Sequence, residues 1–466
     1  MKASHTATAV DVRFDDPNLI ADAGLVPVVA LAEQIGLPDL VAEHVTITGA
    51  ANSAGANPTA KVMSLLAGMV AGADSIEDID RLRHAGNQIV FDQIRAPSTL
   101  GTFLRAFTHG HVQQLNAVLR QALITLAERV PLLPGGDEVV FVDLDSTHRQ
   151  VYGYQKQGAA VGRLTGRKTL HPLIAVASTP ISRPVVVGIR LRKGKSADVR
   201  GGARFLAEAL TTVRAIAPTT RIMVRADSKF YTADIAATAA RYGADVSLTT
   251  GSNPHVNAAI ASIPDTAWTA IHYPNAFVDT DTGELVSDAE VARIRYTAFT
   301  SHPKHQHVQG WLTVRRVKRL NPKAAAAGQD GLFDMWRHHA VFVTSEFTML
   351  QAESQHRDHA IIEQVIADAA ASALAHLPSG SFTANAAWAV LWAIAHNLTR
   401  ALGCLAGSFH AHATTATIRA HLISVPARLA RSARRVILHL PEHWPWQPAW
   451  QALHATVCRP PVHPIA

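Results

Sequence analysis

The chain has 466 residues, too many for one ordinary core, and a domain size of about 150 residues implies two to four domains. Apolar residues make up 48% and charged residues 17%, which supports packed cores and excludes a largely disordered chain. The formal charge of +7, with 25 histidines counted as neutral, suits a polyanionic partner, whereas two cysteines, Cys404 and Cys458, are too few for a disulfide framework or a cysteine-built zinc site.

The N-terminal stretch lacks an apolar signal core, and apolar runs are broken by charge or Gly before they reach a membrane-spanning length. A cytoplasmic protein with no membrane partner is the expectation. Residues from about 20 to 130 read as short amphipathic helices, with Val28 to Ile35 stopped by Gly36 and Asn57-Pro58-Thr59 opening an apolar run from Val62 to Val70. Ser98 and Thr99 are placed to cap a helix carrying Leu100, Phe103, Leu104 and Phe107.

After Pro134-Gly135-Gly136 the pattern becomes β-rich, beginning with Val139 to Val142. Further strands are predicted at Leu170 to Ala177 and Pro184 to Leu191. A helix follows over Val199 to Ile216, then a strand at Arg221 to Ala226, a helix at Thr232 to Tyr242 and a strand at Asp245 to Thr249. Three consecutive strands followed by alternation imply a mixed sheet, antiparallel first and then parallel, with helices on its faces. The ribonuclease H-like fold has this order. From 253 to about 345, extended runs such as Trp311 to Val317 and Ala340 to Thr344 lie between turn-rich segments, which reads as an inserted β-rich subdomain. Helical periodicity returns at Asp358 to Leu377 and Ala386 to Leu402 and continues to about 440, before a loop at Trp444-Pro445-Trp446. The only compositional bias is short Ala-rich patches such as Ala324 to Ala327. The expected organisation is a helical N-terminal region (1–133), the first part of a ribonuclease H-like α/β core (134–252), the β-rich insertion (253–347) and a helical remainder of that core with the C-terminal region (348–466).

Asp143 and Asp145 end the first apolar strand, and period two puts both on one face. Asp227 ends the strand at Arg221 to Ala226. Two apolar strands that each deliver a carboxylate at a C-terminal edge satisfy a hard cation, which takes oxygen ligands and leaves room for phosphates. Asp also ends strands simply because it favours turns. The helical stretch from His356 to Gln364 offers a third carboxylate: Ile362, Val365, Ile366 and Ala369 form an apolar stripe, and His356, His359 and Glu363 run along the adjoining one. Three carboxylates suit phosphoryl transfer by two metal ions, which needs no side-chain nucleophile. The motifs of P-loop, serine-hydrolase, HExxH and paired-CxxC proteins are absent.

The segment from Asp143 to Gly158, Arg225-Ala-Asp-Ser-Lys-Phe-Tyr231, Arg315-Arg316, His356-Arg357 through Glu363, and Leu377-Pro-Ser-Gly380 with Asn385 together resemble the DDE transposases of bacterial insertion sequences, the insertion sequence 1380 family in particular. The likeness extends to Ala96-Pro-Ser-Thr-Leu-Gly101 and so to nearly the whole chain. It implies a ribonuclease H-like core, catalytic and metal-binding roles for Asp145, Asp227 and Glu363, and two Mg²⁺ or Mn²⁺ ions. It also implies a nucleoid-associated protein whose residues 1–133 bind DNA ends, with terminal inverted repeats and target DNA as duplex partners, and a homodimer in a synaptic complex. Asp143 remains a rival to Asp145 for the first position. The chain departs from the family's Tyr, Arg, Glu, Lys pattern, because His356, His359 and Ala370 stand at the Tyr, Arg and Lys positions around Glu363. A relic that binds transposon ends or represses transposition is the alternative.

Cations with access to a duplex are expected at Lys156 and at Arg163, Arg167 and Lys168, near Tyr154. In the insertion, Trp311 and Trp336 flank Arg315, Arg316, Lys318 and Arg319, a mixture suited to phosphate contact and base stacking or to an ordinary core. Arg428, Arg431, Arg434 and Arg435 recur at roughly helical spacing, and His302, His305 and His307 read as loop histidines.

Overall fold

A computed structural model of the chain describes residues 9–48, 53–153, 155–162, 166–271, 277–278, 285–286, 289–318, 336–432 and 435–458. Tyr154, Arg163, Arg319, Arg434 and the patch from Ala324 to Ala327 lie outside them.

The N-terminal part opens on a short strand, β1 (Leu19–Ile20), and continues as α1 (Leu25–Gln34), α2 (Leu37–His44), α3 (Pro58–Val70), α4 (Pro97–Arg105) and α5 (His109–Arg129). Helix α4 starts earlier than the capping residues Ser98 and Thr99 suggest: Ala96 is its N-cap, without a side-chain bond, and Pro97 fills the first turn, where its missing N–H leaves nothing unpaired. Helix α5 carries a full capping box, with Thr108 and His111 satisfying each other's backbone N–H groups.

The central sheet is built from β2 (Val139–Ser146), β3 (Leu173–Ser178) and β4 (Val185–Arg190), then α6 (Gly202–Ile216), β5 (Arg221–Ala226), α7 (Ala233–Arg241) and β6 (Ala244–Thr249). The β-β-β-α-β-α-β order expected from the sequence is the one found. Helix α8 (Pro254–Ala261) follows, and then β7 (Thr269–Ala270), β8 (Ala289–Ala298), β9 (Val308–Lys318) and β10 (Trp336–Val343). These last strands continue the same sheet, whose order among the described residues is β7-β8-β9-β10-β6-β5-β2-β3-β4. Strands β2, β5 and β6 are parallel; β3 and β4 on one side, and β10, β9, β8 and β7 on the other, run antiparallel to their neighbours. Val256, Ile263, Ala292, Leu312, Val314 and Ala340 form a second, smaller core under β8 and β9.

The chain then forms α9 (Met349–Arg357), a 3-10 turn over Asp358–Ala360, α10 (Ile361–Ala370) and α11 (Phe382–Ala406). Helix α11 is buried almost throughout and packs on α5, β4 and α3, so it joins the N-terminal helices to the sheet. Asn397, in its middle, accepts from the backbone N–H of Val186 and donates to its carbonyl, each at 2.8 Å, which satisfies the edge of β4 with a side chain. This helix is long and apolar enough to cross a membrane, yet 89% of its apolar window is buried inside the protein, as in a core helix.

The expected helical continuation to 440 holds only as far as Ile423, through short helical segments at Ser408–His412, Thr415–Ile418 and Arg419–Ile423. Ala427–Ser432 (β11) and Arg435–His439 (β12) make an antiparallel hairpin, and β1 pairs with β11. Ala427 and Leu429 alternate inward there, packing on Ile20 and Ala23; period two therefore outweighs the helical spacing of the arginines. The loop at Trp444 to Trp446 is followed by an unforeseen helix, α12 (Gln447–Cys458).

Candidate active site

The site begins with the register of β2 against β5. The strands are parallel, with Asp143 opposite Arg225 and Leu144 opposite Ala226, so Asp145 and Asp227 leave adjacent strand ends one step later. Asp143 and Arg225 are 82 positions apart, the same offset that separates Asp145 from Asp227. Period two then puts all four side chains on one face of the sheet.

The two acidic residues of β2 have different surroundings. Asp143 is fully buried and takes a bidentate pair from Arg225, Nε to Oδ1 and a terminal nitrogen to Oδ2, both at 2.7 Å. Arg225 also donates to the Gln355 carbonyl at 2.6 Å and stacks on Phe141 at 3.9 Å. His359 Nδ1 lies 2.8 Å from Asp143 Oδ1. Burial alone would raise the Asp143 carboxyl, but Arg225 and the His359 hydrogen bond outweigh it and hold it below the usual carboxylate range. Both of its oxygens are engaged inside the fold.

Asp145 is only partly buried, and its one hydrogen bond among the described residues is from the N–H of Ser146 at 2.6 Å. Burial pushes its carboxyl up, the Ser146 N–H pulls against that, and the charge of Asp227 adds to the rise. Two like charges at adjacent strand ends thus leave a local demand for a cation. Asp227 accepts from the N–H of Lys229 at 3.0 Å and N-caps a short 3-10 turn, and the Lys229 ammonium stands 3.9 Å from its other oxygen.

Helices α9 and α10 cross this same face. His356 hydrogen-bonds Ser247 and Thr249 on β6, Gln355 receives Arg225, His359 reaches Asp143, and the Ile366 carbonyl accepts from Arg149 at 2.6 Å. Ile362, Val365 and Ala369 are buried as the apolar stripe requires, with Ile366 partly buried beside them. Glu363 is exposed and lies between the ties at His359 and Ile366, just as Asp145 lies between Asp143 and Arg149. Among the described residues no group of three or more His, Cys, Asp or Glu side chains lies close enough to hold a metal ion. The donor set nevertheless fits a hard cation: Asp145 and Asp227 are paired, oxygen-bearing and only lightly hydrogen-bonded.

The residues expected to touch DNA fall in several places. Lys156 donates to the Leu377 carbonyl, the backbone N–H of Gln157 donates to the Gly380 carbonyl, and its side-chain oxygen accepts from the Phe382 N–H, the last two at 3.0 Å each. The two motif segments around Gly158 and Leu377 to Gly380 are therefore bound together; Asn385 closes that turn on the Ser379 backbone. Lys168 is exposed on a small strand. Trp311 lies between Arg295 at 3.7 Å and Arg293 at 4.3 Å, and Arg315, on the same face of β9, stands 3.8 Å from Glu353. Arg316 points to the opposite face, against Trp268 at 4.2 Å and Trp336 at 4.5 Å, and pairs with Glu290. It lines a cleft of about 540 Å³ with Trp268, His338 and Asn257. Trp311 and Arg316 thus belong to different surfaces.

Sequence reasoning overlooked the roles of Arg225 and His359, although the repeated offset of 82 was a usable signal for the first.

Comparison with known proteins makes the class and the family explicit. The family described as "Transposase DDE domain group 1" matches residues 2–461, and the chain belongs to it. Members are transposases, nucleases and transferases of DNA that generally use a divalent metal. No curated protein matches the chain. Among solved structures, a piggyBac transposase synaptic complex with hairpin DNA, determined by cryo-electron microscopy, is similar at 10% identity with a TM-score of 0.41, over 96% of this chain and 83% of that one.

Proposed function

We propose that the chain is an insertion-sequence transposase of the 1380 family that cleaves strands at transposon ends and joins them to target DNA, with Asp145, Asp227 and Glu363 as its metal-holding carboxylates. The observation that carries the assignment is the different fate of Asp143 and Asp145: the first is consumed by Arg225 and His359, and the second is left beside Asp227. The strand order β4-β3-β2-β5-β6, antiparallel and then parallel, supports a ribonuclease H-like core in which β7 to β10 are the insertion.

Mg²⁺ or Mn²⁺ ions bound there would supply Lewis-acid activation of a water or 3′ hydroxyl and charge stabilisation at the phosphate. The chain's own contribution is positional. Arg225 fixes the register of β2 and β5 through Asp143, and His359 ties the segment that leads into α10 to the same carboxylate; in this reading Glu363, on α10, is the third ligand. Duplex DNA, as transposon ends and target, is the substrate, held in a homodimeric synaptic complex.

The test is metal-dependent nicking of a duplex carrying the DNA that borders the coding region, with transfer of a supplied 3′ end as a second assay. Alanine at Asp145, Asp227 or Glu363 should each abolish both; full activity in any one variant removes that residue from the site. A second reading, an end-binding relic, is favoured by the use of His359 as a strut for Asp143 and by Ala370 at a normally cationic position. Tight end binding by the natural protein without nicking would select it.

A further inference from the structure

We propose that Asp198 is a positioning residue of this site, which restrains the Lys229 ammonium so that Asp145 and Asp227 stay available to a divalent cation. The inference rests on the reading of that pair as metal ligands.

Asp198 lies in the loop between β4 and α6, yet it touches the immediate neighbours of both strand-end carboxylates. Ser146, next to Asp145, donates its hydroxyl to Asp198 Oδ1. Lys229, two residues after Asp227, brings its ammonium to 3.6 Å from Asp198 Oδ2, against 3.9 Å from Asp227 Oδ2. The buried His171 stands 3.1 Å from Asp198 Oδ1 and also contacts the Ser196 carbonyl at 3.1 Å.

The loop itself is held from behind. Arg192, buried, donates to the carbonyls of Ala197, Asp198 and Arg200. Removing an arginine from water is costly, so its use on three backbone carbonyls makes the position of Asp198 a rigid property of the fold. Gly194 permits the loop's close approach, because a Cβ there would meet the Thr169 carbonyl oxygen at 2.1 Å.

The consequence concerns the ammonium. Lys229 is half exposed, at 52%, and sits between two carboxylates. With Asp198 in place its charge is shared. Without Asp198, the acids left around it are Asp227 and, more remotely, Asp145, whose carboxyl already feels the Lys229 charge. An ammonium drawn onto that pair competes with an incoming divalent cation for the same oxygens.

The experiment measures Mn²⁺ binding to the full chain without DNA, by the paramagnetic resonance signal of free Mn²⁺. Asp198→Ala should weaken apparent affinity about 10-fold, the lower end of the effect of an outer partner because Lys229 is half solvated. Asp198→Asn, which keeps an acceptor for Ser146 but loses the charge, should weaken it similarly. Lys229→Ala should bind at least as tightly as the natural chain, and the Asp198→Ala, Lys229→Ala double variant should match Lys229→Ala. Unchanged affinity in both Asp198 variants, with binding lost in Asp145→Ala and Asp227→Ala, overturns the inference alone. A double variant as weak as Asp198→Ala overturns it too, because the effect would then not run through Lys229. Mn²⁺ binding that survives alanine at Asp145 and at Asp227 overturns the reading of the pair itself.

Discussion

Replacing Arg225 by Met tests how the site is built. Arg225 and Asp143 are 1% and 0% exposed, and their two bonds at 2.7 Å are joined by a third, from Arg225 to the Gln355 carbonyl, and by the stack on Phe141. Met fills much of the same volume but leaves the Asp143 carboxylate in the core with His359 as its remaining partner. Breaking one side of a buried pair costs about 3–5 kcal/mol, most of it the desolvation of the abandoned charge. Asp143→Leu combined with Arg225→Met removes both charges and should recover most of that loss. Urea unfolding of the three chains measures the comparison. The acid response is linked: the Asp143 carboxyl sits below its unfolded value, so its stabilisation is complete above the usual carboxylate pKa and disappears as pH falls through the folded one. The double variant should lack that acid-side loss. A deficit in Arg225→Met below about 1 kcal/mol, the size of an exposed ion pair, would refute the argument that this pair sets the frame of the site.

Three further outcomes follow from particular side chains. His356 and His396 are buried with pKa values lowered to about 3, and His171 to about 4, chiefly by burial. Each is neutral in the fold and protonates first in the unfolded chain, so stability should be complete above about pH 6.5 and fall below it, by up to ~1.4 kcal/mol per pH unit for each group; a stability profile flat from pH 7 to 5 contradicts this. Gly194→Ala should cost roughly 1–3 kcal/mol through its collision with the Thr169 carbonyl, read as a lowered melting temperature; an unchanged melting temperature means the loop has room to move. Arg431 and Arg435 are exposed on the β11–β12 hairpin. If they meet phosphates, replacing both by Ala lowers the slope of log affinity against log salt by about 0.9 per lost contact. An unchanged slope removes the hairpin from the DNA path.

Much of the core was legible because period two and turn residues act locally. The strand from Arg221 to Ala226 was placed to the residue, and the β-β-β-α-β-α-β order came from the same local signals. The hairpin after Ala427 was misread because four arginines carry no information about which face is buried; the inward packing of Ala427 and Leu429 on Ile20 and Ala23 supplies it. Trp311 and Arg316 looked like one mixed patch along the chain, but opposite faces of β9 separate them.

The sequence by itself determined the chemical vocabulary of the candidate site: carboxylates at the ends of apolar strands, and a further candidate on an amphipathic helix, since these depend on residue type and short-range spacing alone. Which carboxylate of Asp143-Leu-Asp145 remains open was decided only by tertiary structure. Arg225 and His359 lie far along the chain from Asp143, and their competition for it exists only once β5 pairs with β2 and α10 crosses the same face.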